Sequence, residues 1–270
     1  MIGNYFGRFA NAEVAMNEAA ASSMISLQIS DAIKLGKDGE YVAAIKKLNY
    51  VIEKDRNNLL AHLTAARIQR EMGNYIAAGS RLRKLRLLYP NSGAIVQEIG
   101  NVYIAMGKEM VESEKYSEAL EYNKKALKCY KSAVGTDVAA GAKENVIVAL
   151  LILGKSCLRN GDGLASGKYF DEAEASLIKY QDSIPHGVLF QLKGEMLFYK
   201  GEYDSAREFY LSAYADDSTS DRNKNHCRNM ITKINTEECA GNVIKATDML
   251  TAQLAVQLVK RFNNRDNIRH

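Results

Sequence analysis

The chain has 270 residues, of which 47% are apolar and 25% charged, with a formal net charge of +4. This composition excludes a disordered polyelectrolyte, which would bury too little apolar surface to order its backbone, and lacks the strong basic excess of a dedicated nucleic-acid binder. With 4 dispersed cysteines and no run of eighteen apolar residues, it also excludes a disulfide scaffold and gives no transmembrane helix.

Residues 1–24 open Met1-Ile2-Gly3-Asn4 and turn alanine-rich from Ala10 to Ala21. They lack the basic start and continuous apolar stretch of a secretory signal, and Ile2 excludes the glycine-at-two myristoylation pattern. A helical cap on the segment that follows is expected here. In the absence of a signal, the cysteines are expected as thiols in a reducing cytoplasm.

A repeat begins beyond it. Gly39-x-Tyr41-x-x-Ala44-x-x-x-Leu48 recurs thirty-four residues later as Gly73-x-Tyr75-x-x-Ala78-x-x-x-Leu82, and again as Gly201-x-Tyr203-x-x-Ala206-x-x-x-Tyr210. A small residue stands seven positions before each of five glycines: Ala32, Ala66, Gly100, Gly154 and Gly194 precede Gly39, Gly73, Gly107, Gly161 and Gly201. The small residue lets two helices approach, and the glycine supplies a left-handed cap. Pro90 and Pro185 each follow a small residue, Ala78 and Ala173, by twelve positions, where a helix should end.

Two repeats are longer. Tyr116 and Phe170 lie nine positions after Gly107 and Gly161, against two in the regular copies. Seven extra residues make about two helical turns, so Lys108 to Lys115 is expected to lengthen helices. Three glycines between Gly161 and Gly167 oppose helix, and a flexible loop is expected there. Regularity should break around residues 108–145 and 161–169.

This pattern resembles the tetratricopeptide repeat, helix, turn and antiparallel helix, over roughly residues 25–218. Phe190-x-x-x-Gly194-x-x-Leu197-x-x-x-Gly201-x-Tyr203-x-x-Ala206-x-x-x-Tyr210-x-x-Ala213 carries it best; Gln28 replaces the usual first-helix aromatic. The resemblance implies an all-α, right-handed superhelical solenoid of about five repeats with terminal capping helices. It also implies that first helices line a concave groove. By register the groove offers Leu63, Arg67, Arg70, Gln97, Asn101, Leu151, Lys155, Gln191 and Glu195. Arginines would meet carboxylates, Gln97 and Asn101 peptide amides, and leucines apolar anchors. Relatives that hold the C-terminus of heat-shock chaperones begin their set with lysine, where this chain has Ile29, Leu63 and Gln97.

Residues 219–270 are read as capping helices and a polar tail. Val243, Ala246, Leu250, Leu254 and Leu258 form one apolar stripe, a cap for the last repeat or a contact for a second copy of the chain.

No catalytic, cofactor or metal site is expected. No cysteine pair has zinc spacing, and His226 beside Cys227 lacks further ligands. Gly163 to Gly167 leaves three residues where a phosphate loop needs four, and Tyr169 follows Lys168 in place of Ser or Thr. The reading is a cytoplasmic, non-catalytic scaffold or adaptor for a protein or peptide, with a chaperone for subunits of a secretion or surface assembly as the alternative. A further alternative uses Arg81, Arg83, Lys84, Arg86 and the C-terminal segment, with nine Lys or Arg against five Asp or Glu from Asp221 onward, to meet nucleic acid or an anionic surface. Against it, Leu82, Leu85 and Leu88 are expected to be the buried side of that helix, leaving its arginines as an ordinary solvated face.

Overall fold

The computed structural model describes residues 23–136 and 139–236. The apolar stripe from Gly241 to Phe262 and nearly all of the N-terminal cap lie outside the described residues. Among these residues the chain is all-α. Residues 23–37 (α1) precede α2 (Tyr41–Lys54), α3 (Leu59–Glu71), α4 (Tyr75–Leu88), α5 (Gly93–Glu112) and α6 (Tyr116–Ala133). Then come α7 (Ala139–Arg159), α8 (Gly163–Tyr180), a short 3-10 turn, α9 (His186–Lys200), α10 (Tyr203–Ala215) and residues 221–236 (α11). Two compact units divide between Ala173 and Glu174, within α8.

One spacing organises every hairpin. Ala32 and Leu48, Ala66 and Leu82, Gly107 and Asn123, Gly154 and Phe170, and Gly194 and Tyr210 all stand sixteen residues apart. The first two pairs lie buried within their hydrophobic clusters. In the other three, a β-carbon on the glycine would lie 2.3 Å from Asn123 Oδ1, 2.5 Å from Phe170 or 3.1 Å from Tyr210. The partners' sizes are complementary: alanine faces leucine, and glycine faces the larger or branched polar side chain. Interiors at crystal-like density tolerate little else.

Seven residues after each small residue the backbone turns left-handed. At Gly201 φ is 84°, and at Glu114, seven after Gly107, it is 60°. The third repeat therefore runs from Gly107 through Glu114-x-Tyr116-x-x-Ala119-x-x-x-Asn123, with glutamate in the capping position. Gly107 itself is an interior residue of α5, so the expected cap there is corrected to Glu114. The added length lies at the far end of the hairpin, where Gly100 packs against the buried Tyr130 ring. Accordingly α5 and α6 have 20 and 18 residues, against 14 in α2 and 13 in α3.

The loop expected over Gly161 to Gly167 is also corrected. Helix α8 begins at Gly163, and Asp162 caps it by accepting the Ala165 N–H at 2.9 Å. The segment is a regular repeat, Gly161-x-Gly163-x-x-Ser166-x-x-x-Phe170, with glycine for tyrosine and serine for alanine. Buried Ser166 donates to the Gly154 carbonyl at 2.9 Å, and Phe170 is buried against Gly154. Burying that ring contributes roughly 1.5–3 kcal/mol, enough to offset a glycine's cost of about 1 kcal/mol in a helix. With this register Pro185 lies fifteen residues after Phe170 but Pro90 only eight after Leu82, so the two prolines do not share a position. The extra length of that repeat sits in the 21-residue α7 and the 18-residue α8.

The second unit closes on Phe198, Tyr210, Ala213, Cys227 and Ile234, so α11 covers the α9–α10 pair. Burial pushes the Cys227 thiol up to about 11 from an ordinary 9.0, and also raises the phenols of Tyr210 and, in the first unit, Tyr130. Between pH 9 and 11 the unfolded thiol ionises while the folded one stays protonated, so unfolding releases protons. The stabilisation is complete below about pH 9 and is lost as pH rises toward 11. A loss on the order of 1–2 kcal/mol is expected for Cys227. Thermal midpoints measured from pH 8 to 11 should fall, and fall less in Cys227→Ala; a flat wild-type profile would contradict the buried thiol and phenols.

Candidate functional site

In the first unit α3, α5 and α7 contact one another in sequence, as neighbouring first helices. The residues read from sequence as groove lining do not share one fate there. Leu63 and Leu151 are 6% and 3% exposed, so both are core residues and offer no anchor to a ligand. Arg67 Nε donates to Glu98 Oε1 at 2.6 Å, and Glu98 is 4% exposed. Arg70 pairs with Glu71 at 2.8 Å. Tyr130 donates its hydroxyl to Asn101 Oδ1 at 2.7 Å. Gln97 is half-buried beside Gly141, and its Oε1 has no hydrogen-bond partner among the described residues. In the second unit His226 Nε2 lies 2.8 Å from Glu195 Oε1, and Gln191 Oε1 is buried without a described partner. Most polar residues predicted to reach outward thus bond within the fold.

Lys155 also borders a cavity. It lines a pocket of about 430 Å³ between the C-terminal halves of α5 and α7. Lys108 and Arg159 join it, with Glu112 the one carboxylate of the lining among the described residues. Lys108 Nζ and Glu112 Oε1 are 3.8 Å apart and both side chains are well exposed, a separation that contributes little. Ile104, Val111 and Ile152 give the wall its half-buried aliphatic part. At the base, Asn123 Nδ2 donates to Ser156 Oγ at 3.3 Å, and Ser156 Oγ donates to the Ile152 carbonyl at 2.8 Å. This chain ties α6 to α7. Asn123 Oδ1 is buried against Gly107 and has no described partner.

Lys108, Glu112, Arg159 and Ile104 are absent from the sequence-based set. Aligning the third repeat on Gly100 places Gln97 and Asn101 where the Gly107 register places Ile104 and Lys108. The Glu114-x-Tyr116-x-x-Ala119 spacing carries the correct register in the sequence.

The basic run of α4 is partly used internally. Arg81 donates to Gln69 at 3.2 Å and to His62 Nδ1 at 3.1 Å, while Arg83, Lys84 and Arg86 are exposed. Leu82 and Leu85 are buried, but Leu88, the last residue of α4, is 59% exposed and is not part of its buried side. Among the described residues no group of three or more His, Cys, Asp or Glu is placed to hold a metal ion, and no helix is long and apolar enough to cross a membrane.

No protein-family model matches the sequence, and no curated protein matches it. Solved structures do match in fold. A thermophilic TPR protein of Thermus thermophilus superposes with a TM-score of 0.57 at 17% identity, over 77% of this chain and 99% of its own. The fold is that of the tetratricopeptide-repeat proteins. A human IFIT1 dimer with PPP-AAAA shares this fold, with a TM-score of 0.56 at 17% identity over 80% of this chain, which spans 47% of the IFIT1 chain. At such identities the tetratricopeptide-repeat likeness is one of architecture.

Proposed function

We propose that this chain is a non-catalytic scaffold that holds a protein or peptide partner on the first-helix face of α5 and α7. The observation that carries the reading is the pocket between those helices, on the face where a tetratricopeptide-repeat array presents its first helices. Pockets of a few hundred Å³ are the usual size of built binding sites. The internal engagement of Arg81 leaves the α4 run a weaker candidate for nucleic acid.

The test places the photoreactive residue p-benzoylphenylalanine at Glu112, on the pocket rim, and separately at Val42, which is 77% exposed on α2. Each chain is irradiated in a nuclease-treated native lysate. A discrete protein adduct at position 112 and none at 42 is the expected result. Equal adducts at both positions, or none at 112, would overturn the reading.

A further inference from the structure

We infer that the α5–α7 pocket is a subsite for an acidic peptide, seating an aliphatic side chain against its apolar wall and an adjacent carboxylate among its cations. The inference rests on the scaffold reading above and adds the chemistry of the occupant.

Charge is the first argument. Among the described residues Lys108, Lys155 and Arg159 line one cavity with Glu112 as its one acid, three positive charges to one negative. Arginine and lysine together suit a carboxylate, the first through a planar fork and the second as a point charge. The apolar wall is the second. Ile104, Val111 and Ile152 are partly buried aliphatics within the same cavity as the cations, so an occupant must bring both an apolar and an anionic group. A space of about 430 Å³ holds a side chain with its neighbour and no folded domain.

The walls are pre-organised, which reduces the entropy lost on binding. Gly107 admits Asn123 to a distance that any β-carbon would forbid, 2.3 Å from Oδ1, and the Asn123–Ser156–Ile152 bonds fix α6 to α7 beneath the cavity. Asn123 is 1% exposed and its Oδ1 is buried against Gly107, so it belongs to the fixed wall beneath the cavity.

A single-stranded nucleic acid fits less well. Its usual seat combines cations with aromatic platforms for base stacking, and among the described residues no aromatic side chain lines this cavity.

The experiment is fluorescence anisotropy on the full chain at low salt. The probes are fluorescein-labelled Gly-Ser-Asp-Leu-Asp-Ser-Gly, the same peptide with Asn-Leu-Asn or Asp-Ala-Asp at its centre, and a 5′-phosphorylated octa-adenylate. The Asp-Leu-Asp peptide should bind about tenfold more tightly than either altered peptide, and Lys155→Glu/Arg159→Glu should weaken it about tenfold. Lys108→Glu, at a 77% exposed side chain, supplies a second variant should the double change impair folding, which a thermal melt by circular dichroism detects. Equal affinity for the three peptides, insensitivity to both variants, or variant-sensitive binding of octa-adenylate alone would each overturn the inference. A protein adduct at position 112 without peptide discrimination would sink the inference and leave the scaffold reading standing. Peptide discrimination with no adduct would do the reverse.

Discussion

Gly154→Ala is expected to destabilise the protein by about 2–3 kcal/mol, although the same change at most helical positions stabilises. The added carbon would lie 2.5 Å from the Phe170 ring, itself 3% exposed and without room to retreat. Gly167, exposed in the second turn of α8 with open space where a β-carbon would stand, should instead gain up to about 1 kcal/mol as alanine. The opposite signs separate packing from helix propensity. The pairing of Ala32 with Leu48 and Ala66 with Leu82 further predicts that Phe170→Leu rescues Gly154→Ala, with a coupling above about 1 kcal/mol. Urea unfolding of the four variants measures this. Additive losses at 154 and 170 would contradict the sixteen-residue pairing as the rule of the fold.

That pairing explains what the sequence could and could not reveal. The thirty-four-residue copies around Gly39 and Gly73 carry their register openly, because Ala44, Leu48, Ala78 and Leu82 are all fully buried and chemically alike. In the longer repeats the register is degenerate. Seven residues are nearly two helical turns, with a drift of only about 20°, so a slip by seven puts small residues on small and apolar on apolar. Gly100 therefore passes for Gly107, and nine residues from Gly161 to Phe170 pass for an insertion. Glu114 hides the true cap, since a left-handed glutamate costs about 1–2 kcal/mol and is not expected from pattern. Gly163 is misread for the opposite reason: glycine argues against helix locally, while the Asp162 cap and buried Phe170 decide the matter through contacts distant in sequence.

The site was legible in part for the same reason. Lys155 follows Gly154, whose register is correct, and it lines the pocket; Lys108 follows Gly107, whose register is slipped, and it is missed. Side-chain pairing between first helices is a different kind of information. Nothing in the local pattern of α3 says that Glu98, thirty-one residues beyond Arg67, will be buried beneath it.

Arg67→Glu is accordingly expected to cost about 2–3 kcal/mol, where a solvated groove arginine would cost almost nothing. Glu98 is 4% exposed and meets Arg67 at 2.6 Å. Removing the cation strands a buried carboxylate, a loss of about 3–5 kcal/mol in comparable pairs, and the new glutamate adds like-charge repulsion. Partial exposure of the Arg67 side chain, 51%, lets water soften the lower figure but does not reverse it. Replacing both partners, Arg67→Leu/Glu98→Leu, should return stability to within about 1 kcal/mol of wild type, because the apolar pair carries no desolvation cost. Urea midpoints for the single and double changes test this. A single change indistinguishable from wild type would mean that Glu98 needs no counter-charge, and Arg67 would again be available to a ligand. If the loss is found, binding lost in an Arg67 variant reports a damaged α3–α5 contact, and the proposed partner is better tested at Lys108, Lys155 and Arg159.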